Sequence, residues 1–224
     1  MHTQPLADCA LCVVKTWHKF RITLKTKLKV YRAAVVPSLL YAAESWTVYA
    51  RHAKTLNATH MRFLRKILHI RWQDRIPDTE VLQKAQMESI HTMLLRRQLR
   101  WTGHVVRMPD YRLPKRIFYS ELVAGARSHG GQRKRFKDTL KVGLRQCDIN
   151  IDTWETECLD RGHWRGKIHL GANNHETSRT SAAQRRRCER KERRETGTLD
   201  IPCPHCPRLF RAQIGLFSHM KAHH

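Results

Sequence analysis

Apolar residues recur at helical spacing along most of this chain, and before residue 200 no stretch shows the two-residue alternation of a half-buried strand. Leu24, Leu28, Tyr31 and Val35 make the first such series. Pro37 interrupts it, and Leu39–Ala43 resumes it, which predicts two helices or one kinked at the proline. The clearest amphipathic helix is predicted over residues 52–70. Leu56, Phe63, Leu64, Ile67 and Leu68 share a stripe there, with Arg62, Arg65 and Lys66 off it. Pro77-Asp78 signals the start of a short helix through Gln86. Ser89 is the expected N-cap of the next one. Its apolar set is Ile90, Met93, Leu94, Leu95, Leu99 and Trp101, too wide for a surface stripe, so this segment should be the central core helix. Gly103 and Pro109 are expected to bound its end.

Further along, a helix is expected over about 134–146. Asp152-Thr-Trp-Glu155 reads as a capping box opening another. Trp154, Leu159, Trp164 and Ile168 are expected to dock that helix on the body. Residues 171–198 are poor in apolar groups and carry the basic runs Arg185-Arg186-Arg187 and Arg190–Arg194; they read as a solvated helix or a disordered tether. The expected fold class is mainly α: an irregular helical body over 1–170, a basic linker over 171–198 and a separate small module over 199–224.

That module carries the most specific chemistry. Cys203, Cys206, His219 and His223 follow a C-x2-C-x12-H-x3-H spacing. Zinc is held tetrahedrally by four such sulfur and nitrogen ligands, one pair across a tight turn and the other along a helix. Phe210 and Leu216 sit where a small core between hairpin and helix needs them. A segment this short cannot bury enough apolar surface to fold alone, but zinc binding contributes on the order of 10–16 kcal/mol in finger peptides. The expectation is a ββα Cys2His2 zinc finger holding Zn2+. His224 directly follows His223, so either could be the fourth ligand, with His223 preferred. His205, inside the cysteine turn, is expected to be exposed. The helix positions that face bases in such fingers fall on Ala212, Gly215 and Ser218. None of these can make a bidentate base contact. Arg208, Arg211 and Lys221 can reach phosphates, so contact should be nearly blind to sequence.

Charge narrows the class of partner. The chain holds 43 Lys and Arg against 19 acids, a formal charge of +24, with a sequence pI near 10.5. So large an excess points to a polyanion, most often nucleic acid. A glycine-rich basic loop, with Arg127, Arg133, Lys134, Arg135 and Lys137 around Gly130-Gly131, is a second candidate phosphate contact. It is not a Walker loop. No run of apolar residues is long enough to span a membrane, and no signal peptide is expected. Seven cysteines, an odd count, suit a reducing compartment. Cys9 and Cys12 form a second C-x2-C without a matching downstream pair. With nucleic acid as partner, the nucleus is the expected location.

Several blocks of the body, taken in order, resemble the region late in the reverse transcriptases of non-LTR (LINE-type) retrotransposons. They are Leu39–Thr47 (LLYAAESWT), Arg62–Asp74 (RFLRKILHIRWQD), Leu99–Met108 (LRWTGHVVRM) and Gly130–Asp138 (GGQRKRFKD). The closing Ile214–His219 (IGLFSH) resembles the C-terminal finger of the same elements. The resemblance runs from about residue 24 to the end and is weaker over 171–198. In that family, polymerisation uses palm carboxylates, including an Asp-Asp pair, because two-metal nucleotidyl transfer needs closely placed acids. This chain has no Asp-Asp pair. The resemblance therefore implies the thumb-like helices, connector and finger that follow the palm. It implies no catalytic residue here and no enzyme activity. DNA or RNA, bound mainly through phosphates, is the expected partner. A protein partner for the finger, or an accessory role in reverse transcription with the palm on another chain, are the alternatives.

Overall fold

The computed structural model describes residues 22–120, 134–196 and 201–221. The chain divides into two compact units, Met1–Thr177 and Ser178–His224. Among the described residues the first unit is helical throughout.

It opens with α1 (Leu24–Val30), a π-helical segment (Tyr31–Val35) and α2 (Val36–Leu39), which together make one unbroken helical run. The π register answers the question posed by Pro37. Proline has no N–H and its ring collides with the carbonyl four residues back. Here the Val36 N–H already reaches five residues back to the Tyr31 carbonyl, so the four-residue ladder has been left before the proline arrives. The Ser38 hydroxyl donates to the Ala34 carbonyl at 2.9 Å. The expected resumption over Leu39–Ala43 does not occur. The chain turns instead, and Ala42 sits at φ 56°, a conformation that ends a helix of L residues.

The amphipathic helix α3 spans Ala50–Ile67, within a few residues of its expected bounds. A 3-10 turn (Trp72–Asp74) leads to α4 (Asp78–Ala85), which stops where Gln86 takes a left-handed conformation. Next comes α5 (Ile90–Val106), capped by Ser89, whose hydroxyl accepts the Thr92 N–H at 3.3 Å. The order then continues through α6 (Leu113–Tyr119), α7 (Phe136–Gln146), α8 (Trp154–Glu157) and the long α9 (Arg161–Thr196).

Two clusters of buried side chains share α5 as their common wall. The first gathers Tyr31, Val35, Leu40, Met61, Leu64, Val81 and Ile90. The second gathers Leu99, Val105, Leu140, Leu144, Trp154, Trp164 and Ile168. Gly103 does not bound α5 as expected but lies inside it, packed under a ring. A Cβ at Gly103 would meet the Trp164 Nε1 at 2.2 Å. The glycine is there because the indole needs its space, not because the helix ends.

Polar side chains tie the layers together. The Glu176 carboxylate of α9 accepts from both Ser89 at 2.7 Å and Thr92 at 2.6 Å, placing a negative charge at the N-terminus of α5, where the helix dipole favours it. The Asp160 carboxylate accepts the N–H groups of Gly162 and His163 at 2.7 and 3.0 Å and so opens α9 as an N-cap. The capping box expected at Asp152–Glu155 does not form. Thr153 occupies the cap of α8 without a side-chain hydrogen bond, and its hydroxyl donates to Glu157 at 3.2 Å instead. Of the four expected docking residues, Trp154, Trp164 and Ile168 are buried, whereas Leu159 is 64 % exposed in the turn between α8 and α9.

One buried group titrates in an accessible range. The Tyr31 hydroxyl and His60 Nδ1 lie 2.8 Å apart, and both residues are fully buried. Burial pushes the His60 imidazole down to about 4, against weaker upward pulls from the Glu88 backbone and the Asp78 carboxylate. Unfolding exposes an imidazole of ordinary basicity near 6.5. Between those values the unfolded chain binds the extra proton. The stability due to a neutral His60 is therefore complete above about pH 6.5 and is lost progressively as pH falls towards 4, by about 3 kcal/mol in all. Urea midpoints measured across that range should fall steadily with acidification. A flat midpoint would remove His60 as the titrating group.

Candidate metal centre and basic surfaces

In the second unit, β1 (Ile201–Pro202) pairs antiparallel with β2 (Leu209–Phe210), Ile201 opposite Phe210 and Pro202 opposite Leu209. Pro202 lacks an N–H, which an edge position tolerates. The connecting turn is closed by the Cys203 N–H donating to the Arg208 carbonyl at 2.9 Å. Helix α10 (Gln213–Met220) follows, with Ala212 extended at its cap.

This local fold brings three expected ligands together. The Cys203 and Cys206 sulfurs and one ring nitrogen of His219 all lie within 4.8 Å of one another. Cys206 Sγ is 3.2 Å from His219 Nε2. Cys203 is buried, and that burial works against its thiolate. The His205 backbone N–H, the Cys206 thiol and the Cys206 N–H nonetheless shift its balance below the ordinary thiol value. The Phe210 ring packs on the His219 imidazole, with centroids 4.9 Å apart. Phe210 and Leu216 are half-buried and His205 is exposed. Cys203, Cys206 and His219 could bind a metal ion. Two thiolates and an imidazole are the donor types of a borderline-soft divalent cation rather than of calcium or magnesium. His223 and His224 lie outside the described residues, as do Cys9 and Cys12.

Arg208, Arg211 and Lys221 are exposed. Ala212 caps α10, and Gly215 and Ser218 lie within it. Gly215 also faces the Phe210 ring, where a Cβ would sit 3.5 Å from Cδ1. Helix α10 presents Ile214 at 79 % and Phe217 at 71 % exposure.

The basic loop is only partly within the described residues. Arg127 and Arg133 fall outside them. Lys134 and Lys137, expected as phosphate ligands, face aromatic rings. Lys134 Nζ stands 5.9 Å from the Tyr49 centroid, and its N–H donates to the Tyr49 hydroxyl at 3.3 Å. Lys137 Nζ stands 5.5 Å from Tyr119 and 5.8 Å from Phe118. Arg135 is exposed. Its N–H is held by the Asp138 carboxylate at 2.8 Å, which opens α7.

Part of the positive charge in the first unit is structural. Arg96 forks onto both Glu88 oxygens at 2.8 and 2.9 Å and reaches Asn173. Arg32 donates to the Gln86 carbonyl at 2.8 Å, and Arg107 to the Cys158 carbonyl. The buried thiols of the first unit resist ionisation. Burial, with Asp148 beside it, pushes Cys147 up to about 11, and burial pushes Cys158 up to about 12. No described helix is long and apolar enough to cross a membrane.

Against this geometry the comparisons with known proteins add one relative. The chain is 26 % identical, over 157 residues, to a Caenorhabditis elegans protein described as uncharacterised and transposon-derived. The matched stretch covers 67 % of this chain and 56 % of that protein, so the chain spans little more than half its length. No family model matches, and no solved structure matches. The likeness points to a transposon origin.

The residues that sequence reasoning passed over are His60 and Trp72. His60 sits at helical spacing with Phe63, Leu64 and Ile67, a signal that was available. Trp72 is 84 % exposed, and nothing in its spacing separated it from the buried tryptophans.

Proposed function

We propose that this chain is a zinc-stabilised nucleic-acid-binding part of a non-LTR retrotransposon protein, with a Cys2His2 finger at residues 199–224. The observation that carries the reading is the convergence of Cys203, Cys206 and His219 in the order and spacing of such a finger. His223 would complete the set. Zinc, when bound, supplies a tetrahedral anchor that fixes hairpin to helix, and no chemistry on substrate follows from it. The transposon-derived relative and the ordered sequence blocks support the placement within an element of this type. The nucleus is the proposed site of action.

Binding is carried by cations on phosphates. Arg208, Arg211 and Lys221 project from the finger, and Arg135 from the body. With Ala212, Gly215 and Ser218 at the base-facing positions, little discrimination between sequences is expected. The sequence has no Asp-Asp pair of the kind two-metal nucleotidyl transfer uses in that family, so the chain should incorporate no nucleotide with magnesium.

The test is a titration of the whole chain with duplex and single-stranded oligonucleotides at rising salt. Each neutralised phosphate releases counterions, so a protein with six or more phosphate contacts loses about 10³-fold or more in affinity between about 50 and 200 mM salt. An affinity indifferent to salt would sink the phosphate reading. A second reading, a protein partner for the finger, is favoured by one observation: Ile214 and Phe217 stand largely exposed on α10, where a nucleic-acid face would carry polar groups. Capture of a partner that survives nuclease and is lost in Ile214→Ser/Phe217→Ser would support it.

A further inference from the structure

Between Arg51 and Arg75 the chain carries seven cations, Arg51, Lys54, Arg62, Arg65, Lys66, Arg71 and Arg75, and one acid, Asp74. Most of them ride on α3. Lys54, Ala58, Arg62 and Lys66 follow one another at four-residue intervals, so each lies about 6 Å further along one side of the helix. With Asn57, Arg65, Ile70 and Asp78 they line a shallow open groove. The acid in that groove is already answered. Asp78 takes the Arg65 guanidinium at 2.6 Å and lies 3.4 Å from the Asn57 amide. Among the described residues Lys54, Arg62 and Lys66 form no ion pair. A helix side with three uncommitted cations costs self-repulsion unless an anion lies along it.

Ile70, which lines the groove, stands two residues before Trp72. The tryptophan begins the turn Trp72–Asp74 and is 84 % exposed. The turn is built, not loose. The Asp74 carboxylate accepts the Arg71 N–H at 2.8 Å, and the Arg75 N–H donates to the Trp72 carbonyl at 3.3 Å. Ile70 and Ile76, on either side, pack against the first core cluster. The Arg65 guanidinium donates to the Ile76 carbonyl at 3.2 Å, tying the segment to the same helix that bears the cations. Two residues along the chain from the groove, a turn that partly buries its flanking isoleucines and turns its tryptophan to water presents a flat aromatic face. Arg71 and Arg75 beside it are exposed.

We infer that this face is a binding track for single-stranded nucleic acid, with phosphates along Lys54, Arg62 and Lys66 and a base stacked on Trp72. Cationic grooves with aromatic platforms are how proteins hold single strands without reading sequence, because every unpaired base offers a π-face. A duplex hides those faces, so the tryptophan discriminates by strandedness. A protein-docking face is the poorer match, since the cores of protein interfaces are depleted of charge. The inference rests on the nucleic-acid reading above and adds a second surface, on the body, independent of the metal centre.

The test uses the whole chain, with an oligothymidylate of about 12 nucleotides and a duplex of equal length. Trp72→Ala should weaken the single strand about 10-fold or more and leave the duplex unchanged. Trp72→Phe should restore most of the loss. Lys54→Glu/Arg62→Glu/Lys66→Glu should weaken both and flatten the salt dependence by about two to three phosphates' worth of slope. Helical circular dichroism should be unchanged in every variant, since these side chains are outside the core. Equal single-strand affinity in Trp72→Ala, or an equal loss for strand and duplex, overturns the track while leaving the broader binding reading intact. Failure of the unaltered chain to bind either probe overturns both.

Discussion

Cys206→Ser should abolish the thiolate–cobalt absorption of the finger and leave residues 201–221 without a stable fold. Cys206 is one of only two sulfurs in the cluster, and its Sγ lies 3.2 Å from His219 Nε2, so its loss removes a ligand from the centre of the set. The unit has little else to hold it. Its strands are two residues long, Phe210 and Leu216 are only half-buried, and no residue of α10 is buried. Folding free energy must then come from metal binding, worth on the order of 10 kcal/mol or more in finger peptides. Cobalt titration should be run in a Cys9→Ser/Cys12→Ser background, so that the absorption reports on Cys203 and Cys206. His219→Ala should show the same loss, and Cys188→Ser should show none. A Cys206→Ser chain that keeps the absorption and the dispersed amide resonances of residues 201–221 would mean that the cysteines and His219 meet for packing alone.

The second large effect is expected in the body. Trp164→Ala should cost about 3–5 kcal/mol, the range for deleting a large buried aromatic, and lower the melting temperature by about 10 °C for a chain of this length. Trp164 is 1 % exposed. Its indole N–H donates to the Leu99 carbonyl at 3.1 Å, and its ring lies over Gly103. Gly103→Ala should also destabilise, because its new methyl would collide with an indole locked by that hydrogen bond. In the double variant Gly103→Ala/Trp164→Ala the methyl enters the space the ring has left. The two losses should therefore fall short of their sum, as neighbours sharing one cavity do. Additive losses would show that Gly103 acts through the helix backbone rather than through the ring.

The helical body was legible because its apolar positions recur with helical period and its start signals are local. Ser89 and Pro77-Asp78 act on their own backbones, and each opens a helix where expected. The misreadings share a cause. Gly103 looks like a stop signal until Trp164, sixty-one residues later, is seen to occupy the space a side chain would need. Leu159 looks like a docking residue, but the Asp160 cap starts α9 one residue beyond it and leaves it in the turn. Asp152 looks like a cap, yet Thr153 takes that position. In each case a contact or a one-residue shift overrode a local preference.

The candidate site divides the same way. Ligand spacing alone named Cys203, Cys206 and His219, because a tight turn and one helix bring together residues at fixed intervals whatever the rest of the chain does. Charge alone named a polyanion, because net charge acts at long range and needs no fold. Which cations would be free to meet the proposed polyanion is a tertiary matter. Arg96 is taken by Glu88 and Arg65 by Asp78, and Lys137 lies over Phe118 and Tyr119. Lys54, Arg62 and Lys66 stay open along one side of α3. Trp72 and Trp164 are the same residue type in similarly basic stretches. One is in water and the other in the core, because burial depends on what the rest of the chain places against a side chain, and sequence spacing does not carry that information.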